Sequence, residues 1–331
     1  MDIDGYAAEH RPQWRRLESL LARGSLSGAE ADELVALYQR TATHLSAIRS
    51  SSPDPALVAW LSSLVAKARS VVTGSPAPGW RDAARFLVVG FPAACYRARR
   101  WSASVGAAVL LTSWVLAAWV AGNPEVQSTI AAPEQVRRIV EHDFEAYYSS
   151  APAGSFGWLV WTNNAVVAAA CLVLGVFVVP VVWVLWSNAA NLGVTAGLMA
   201  SAGRLELFFG LVTPHGLLEL TAVFIAAGAG LRLGWTVIDP GPRPRAEAVA
   251  AQGRATAGMA LGLAVVLLIS GAIEAFVTPS GLPTAVRIGV GALAEALFLS
   301  YVGVLGRRAA RAGEIGDVSA SAQADTAPSA A

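Results

Sequence analysis

The stretch Thr213-Pro-His-Gly-Leu-Leu-Glu-Leu-Thr-Ala-Val-Phe-Ile-Ala-Ala-Gly-Ala-Gly-Leu-Arg-Leu-Gly234 decides how this chain is read. A bilayer core about 30 Å thick is spanned by about 20 predominantly apolar residues in a helix, and Gly216 to Val237 meets that requirement. Two ionisable residues, His215 and Glu219, stand one turn apart at its start. The whole chain agrees with a membrane setting: 55% of its 331 residues are hydrophobic and only 14% are charged. Soluble domains carry roughly a quarter charged residues. The expected fold is therefore all-α, a polytopic membrane helical bundle.

Working outward from that helix, comparable apolar runs lie at 101–121, 158–186, 255–277 and 283–305. The run 158–186 is long, with Pro180 as a candidate kink. A sixth run, 188–212, is interrupted by Arg204 and Glu206. Short loops rich in arginine stay cytoplasmic. If 188–212 crosses, Arg97/Arg99/Arg100, Arg243/Arg245/Arg254 and Arg307/Arg308/Arg311 all fall on one side. Six crossings with both termini cytoplasmic are expected on that ground. The acidic segment 122–157 is then outside, and the Ala- and Ser-rich tail, residues 312–331, is expected to be disordered.

The charges concentrate before Trp101, which marks residues 1–96 as a cytoplasmic helical bundle followed by an interfacial helix. Ser27-x-x-Glu30 has the form of a capping box and precedes Leu34, Leu37, Thr41, Leu45 and Ile48 at helical spacing. A second amphipathic run follows Pro55, and Gly74 to Gly79 reads as a linker. The mixture of Phe86 to Phe91 with flanking arginines suits a helix lying at the membrane surface from Trp80 to Tyr96.

Several chemistries are excluded or disfavoured. A net charge of +1 supplies no field for nucleic acid. The only lysine, Lys67, is not in a phosphate-binding loop, and no Gly-x-Ser-x-Gly elbow occurs. Cys95 and Cys171 read as packing residues. Gly230-x-x-x-Gly234 reads as a close helix contact, because small residues let backbones approach. What remains is a set of intramembrane polar residues: His215, Glu219, Glu274, Asn163, Asn164 and Asn191. Ionisable groups at membrane depth are costly and usually face the bundle interior with a partner. A metal site at His215, Glu219 and Glu274 is a spacing argument only, so no metal and no cofactor is expected. Pro214 is read as the first turn of its helix, which places His215 near the outer interface and Glu219 one turn deeper.

Leu34-x-x-Leu37-Tyr38-x-Arg40, Asn163-Asn164, Asn191-Leu192-Gly193, Pro214-His215-Gly216-x-x-Glu219, Gly230-Leu231-x-Leu233-Gly234 and Ile273-Glu274 together resemble the stage II sporulation protein M family of integral membrane proteins. The resemblance runs from near the N-terminus to about Arg308. It implies a cell-membrane protein that anchors peptidoglycan-cleaving partners during forespore engulfment in endospore formers. For this chain the expectation is a non-enzymatic scaffold or coupling protein for envelope remodelling, with lipid and envelope proteins as partners and self-association left open. The alternatives are a permease-like component that moves a small solute or lipid past the polar cluster and, third, an intramembrane hydrolase.

Overall fold

The computed structural model describes residues 3–23, 26–49, 55–72, 80–148 and 152–316, which are helical with no strand among them. The linker expected at Gly74 to Gly79 and the tail beyond Gly316 lie outside the described residues. The chain divides into two compact units, Met1–Ala83 and Ala84–Ala331.

The first unit contains α1 (Ile3–Leu21), α2 (Gly28–Arg49) and α3 (Pro55–Val72). The apolar stripe of α2 buries Leu34, Leu37, Thr41, Leu45 and Ile48, as its spacing predicts. These meet Trp14, Leu17 and Leu20 of α1 and Leu61, Leu64 and Ala68 of α3. The capping box forms: Ser27 N donates to Glu30 Oε2 at 2.9 Å, and Glu30 N donates to Ser27 Oγ at 3.4 Å. Helix α3 is long and apolar enough to cross a membrane, but it spends its buried face on this core.

The second unit continues from α4 (Trp80–Arg85), which straddles the division, through a π turn at Phe86–Gly90 into α5 (Phe91–Gly122). The segment expected to lie at the membrane surface, 80–96, is thus helical and runs into α5 through that π turn. Phe91, Ala94, Cys95 and Ala98 extend the stripe of Val105 and Val109, and all six pack in one core. Short helices α6 (Pro124–Ile130), α7 (Pro133–Arg138) and α8 (Phe144–Tyr147) follow, with a π turn at Ile139–Asp143. Then come α9 (Ala153–Leu174), α10 (Val179–Ser201), α11 (Leu205–Ile238), α12 (Arg245–Ala272), α13 (Thr284–Tyr301) and α14 (Arg307–Arg311).

Besides α3, six segments among the described residues are long and apolar enough to span a bilayer: 82–122, 153–177, 179–201, 205–238, 245–277 and 284–311. Leu111, Trp114, Val166, Val182, Trp183, Leu261 and Leu297 stand exposed on their outward faces. A contiguous apolar exterior of that kind is solvated by lipid, not by water.

Two helix boundaries differ from the expected ones. The run 158–186 is divided at Gly175–Val178, and Pro180 opens α10 in its first turn instead of kinking one long helix. The run 188–212 is divided at Ala202–Arg204, so Arg204 caps the break and Glu206 sits in the first turn of α11. The break at Gly175 has a packing cause. A Cβ on Gly175 would overlap the backbone of Gly230, and one on Gly234 would overlap the Gly175 carbonyl. Three glycines thereby let α11 press against the turn between α9 and α10. Residues 312–316, expected to belong to the disordered tail, are packed: the Glu314 carbonyl accepts from Arg97 Nε at 2.8 Å, its carboxylate pairs with Arg85, and Gly316 is buried against Ala94.

Candidate functional site: a buried histidine and two glutamates

Helix α11 is the hub of the membrane domain, touching α5, α9, α10, α12 and α13. It does not begin at Pro214, as expected, but at Leu205, and runs through the proline. A mid-helix proline removes a backbone donor and crowds the preceding turn. Here the neighbouring helices hold that turn in place: Gly291 of α13 lies so close that a Cβ would overlap the Pro214 carbonyl oxygen. The consequence is that His215 is not at a wet helix end. It is buried, 6% exposed, beneath the Tyr148 ring at a centroid distance of 5.8 Å.

Glu274 reaches the same place from the end of α12. The π turn Ile273–Val277 carries it, and such turns rotate a side chain out of the regular helical register, often at functional sites. Its carboxylate Oε1 lies 3.8 Å from His215 Nε2. Glu219, half-buried one turn beyond His215, completes the group, and Asn164 of α9 faces its carboxyl. One ligating atom from each of His215, Glu219 and Glu274 falls within 4.8 Å of the other two. That is close enough for the three to share one cation.

Residues that the sequence did not single out surround this trio. Thr278, fully buried, sets its Oγ1 3.3 Å from His215 Nδ1. Ser270 Oγ donates to the His215 carbonyl at 3.0 Å, and Arg287 Nη1 donates to the Thr278 carbonyl at 2.6 Å. Tyr147 and Tyr148 cover the group from the loop side. Burial, followed by the nearby Glu274 carboxylate, pushes both phenols above the usual tyrosine range, so both stay protonated. Only Thr278 has a spacing cue, one turn after Glu274; the tyrosines come from a segment distant in sequence.

The other expected members are elsewhere. Asn163 and Asn191 are exposed, and Asn191 accepts from Thr195 Oγ1 at 3.4 Å. Neither joins the buried group, because each faces away from its helix's packed side. Glu295 accepts from Thr221 Oγ1 at 2.8 Å and is separate from the trio. Gly230 and Gly234 form the close contact with the Gly175 turn, and Gly216 fits against Val212. Arg232 lines a 470 Å³ cleft with Arg97, Arg243, Trp101 and Trp235 at the far end of α11.

The profile of the family described as Stage II sporulation protein M matches residues 106–279, which include every member of the trio, Asn164 and Thr278. The chain belongs to the stage II sporulation protein M family. A second profile, a domain of unknown function (DUF8413), matches residues 4–74, the three helices of the first unit. No curated protein and no solved structure matches the chain. In this family member, the matched region spans most of the membrane helices and the loop over the trio, so family membership and the buried group lie in one region.

Proposed function

We propose that this stage II sporulation protein M family member is a non-enzymatic cell-membrane protein that docks or couples envelope-remodelling partners, with both termini cytoplasmic. One observation carries the reading: residues 124–148 form a platform fixed to the membrane helices. Val126, Val136, Val140 and Phe144 pack against Val120, Leu198, Met199 and Phe208, and Arg204 Nη1 donates to the Val140 carbonyl at 2.6 Å. With its apolar side anchored, the platform presents Glu125, Glu134, Glu141, Asp143 and Glu145 outward, all exposed. A preordered charged surface lowers the ordering cost of docking a partner.

A second reading, a permease-like component for a small solute or lipid, draws on the buried trio, since intramembrane carboxylates often mark pathways. One comparison separates the two. Glu125, Glu134 and Glu141 are changed together to Gln, and Glu219 and Glu274 are changed singly to Gln. Each protein is then tested for complementation and for cross-linking to partners in native membranes. Docking predicts that the platform variant loses both. Loss of function only in the Glu219 and Glu274 variants, with cross-linking intact, would overturn docking in favour of transport.

A further inference from the structure

Glu274 poses a problem of charge. It is 3% exposed, and among the described residues it has no hydrogen-bond partner; His215 Nε2, at 3.8 Å, is beyond hydrogen-bond distance. A buried carboxyl group with no partner is costly, all the more so beside a second one, Glu219. Both carboxyl groups and the His215 Nε2 edge nonetheless converge on one point. The other ring nitrogen is engaged separately, since Nδ1 faces Thr278 Oγ1 at 3.3 Å. An imidazole that donates its Nδ1 hydrogen to a fixed oxygen presents the lone pair on Nε2, the arrangement that metal-ligating histidines adopt.

We propose that His215, Glu219 and Glu274 bind one divalent transition cation of the zinc type. Two carboxylates and a dication sum to zero charge, which resolves the burial problem that the trio alone presents. One imidazole nitrogen and two carboxylate oxygens form a three-ligand set that zinc accepts, with water as the fourth ligand. Calcium and magnesium want six or more oxygens and rarely accept imidazole. The ion would tie α11 to the π turn after α12 beneath Tyr148, and Thr278 is a positioning residue for it. The three ligands lie outside residues 124–148, and only the covering Tyr148 belongs to the docking platform.

The test uses the full-length protein, purified in detergent through a tag without histidine. After metal is stripped and the protein is loaded with zinc or cobalt(II), bound metal is measured per chain and the cobalt protein's visible spectrum is recorded. The expected result is one equivalent of metal and the intense d–d absorption of four-coordinate cobalt. Glu219→Gln, Glu274→Gln and His215→Asn should each weaken retention by more than about tenfold, the lower end of what even outer-shell losses cost. Circular dichroism and gel filtration confirm that the variants fold. Wild-type protein with no bound metal and no cobalt spectrum overturns the proposal even if every variant misfolds. Zinc held equally by wild type and folded variants, an adventitious ion only, also overturns it.

Discussion

Gly230 lies directly against the carbonyl of Cys171, so that α11 and α9 touch backbone to backbone where α9 ends. The Cys171 oxygen is where a side chain on residue 230 would have to go. Backbone on both sides leaves no flexible group to yield.

Gly230→Ala should therefore destabilise the membrane domain by about 1–3 kcal/mol, the usual cost of overpacking a filled core. Gly253→Ala is the matched control: Gly253 lies inside α12 with nothing near its would-be Cβ, so alanine should be neutral or stabilising by up to about 1 kcal/mol. Fluorescence-detected gel filtration after a heating series reads both. Equal melting of the two variants would contradict the close-contact reading.

Val178 offers a gain. Its φ of 51° is a strained, left-handed backbone for a β-branched residue, imposed by the tight reversal between α9 and α10. Val178→Gly should stabilise the detergent-solubilised protein by about 1 kcal/mol, because glycine adopts that conformation freely. A lower melting temperature than wild type would show that the side chain's packing outweighs the strain.

Much of the fold was readable because lipid imposes a strong code: five apolar runs long enough to cross stand out from composition and length, and the placement of the arginines supplied the sixth. The capping box at Ser27 and the α2 stripe were equally readable, being local. Boundaries set by non-local contacts were not. Nothing within 158–186 marks Gly175 as the break, since its cause is Gly230 on another helix. The same holds for Pro214, which resembled a helix start but sits mid-helix against Gly291. Spacing put His215 and Glu219 together, but only the π turn at Ile273–Val277 and the loop tyrosines bring Glu274 and a cover. Asn163 looked equivalent to Asn164, yet one position along a helix rotates it to the exposed face.

In the N-terminal unit, His10 and His44 stack at 4.1 Å, and Trp14 Nε1 donates to His44 Nδ1 at 3.2 Å. Burial, then the neighbouring His10 and Arg40, hold His44 below the ordinary histidine range. The unfolded chain thus binds the proton more readily than the folded one, so stability is complete above about pH 6.5 and falls as pH drops below it. Hydrogen exchange of α1 and α2 in the full chain, corrected for intrinsic rates, should accelerate between pH 7.5 and pH 5, values chosen to bracket that reference pKa by roughly a unit. His44→Phe should flatten the dependence. An unchanged pH profile in that variant would remove His44 as its source.

Thr278→Val tests the trio without touching a ligand. Valine keeps the shape of a fully buried threonine but removes the oxygen 3.3 Å from His215 Nδ1, leaving the ring free to change tautomer or rotate. Loss of such an orienting partner lowers metal affinity by about 10- to 100-fold in known sites. Zinc competition against a chromophoric chelator should show a drop of that size, and Thr278→Ser, which retains the hydroxyl, should recover most of it. If serine behaves like valine, packing and not orientation is what Thr278 supplies.

Arg204 links the break between α10 and α11 to the acidic platform through its 2.6 Å bond to the Val140 carbonyl. That carbonyl lies in the π turn Ile139–Asp143, where the platform folds back over Phe208 and Met199. A hydrogen bond from a charged donor contributes about 1.5–3 kcal/mol, enough to decide whether a set of short helices stays docked. Arg204→Gln should thus raise proteolysis within 124–148 while the melting of the membrane helices moves little. If docking depends on a preordered platform, the same variant should also reduce partner cross-linking, although none of the exposed carboxylates has been altered. Faster proteolysis with undiminished cross-linking would mean that the charges act without the order, and that the platform's fixed geometry is not what a partner reads.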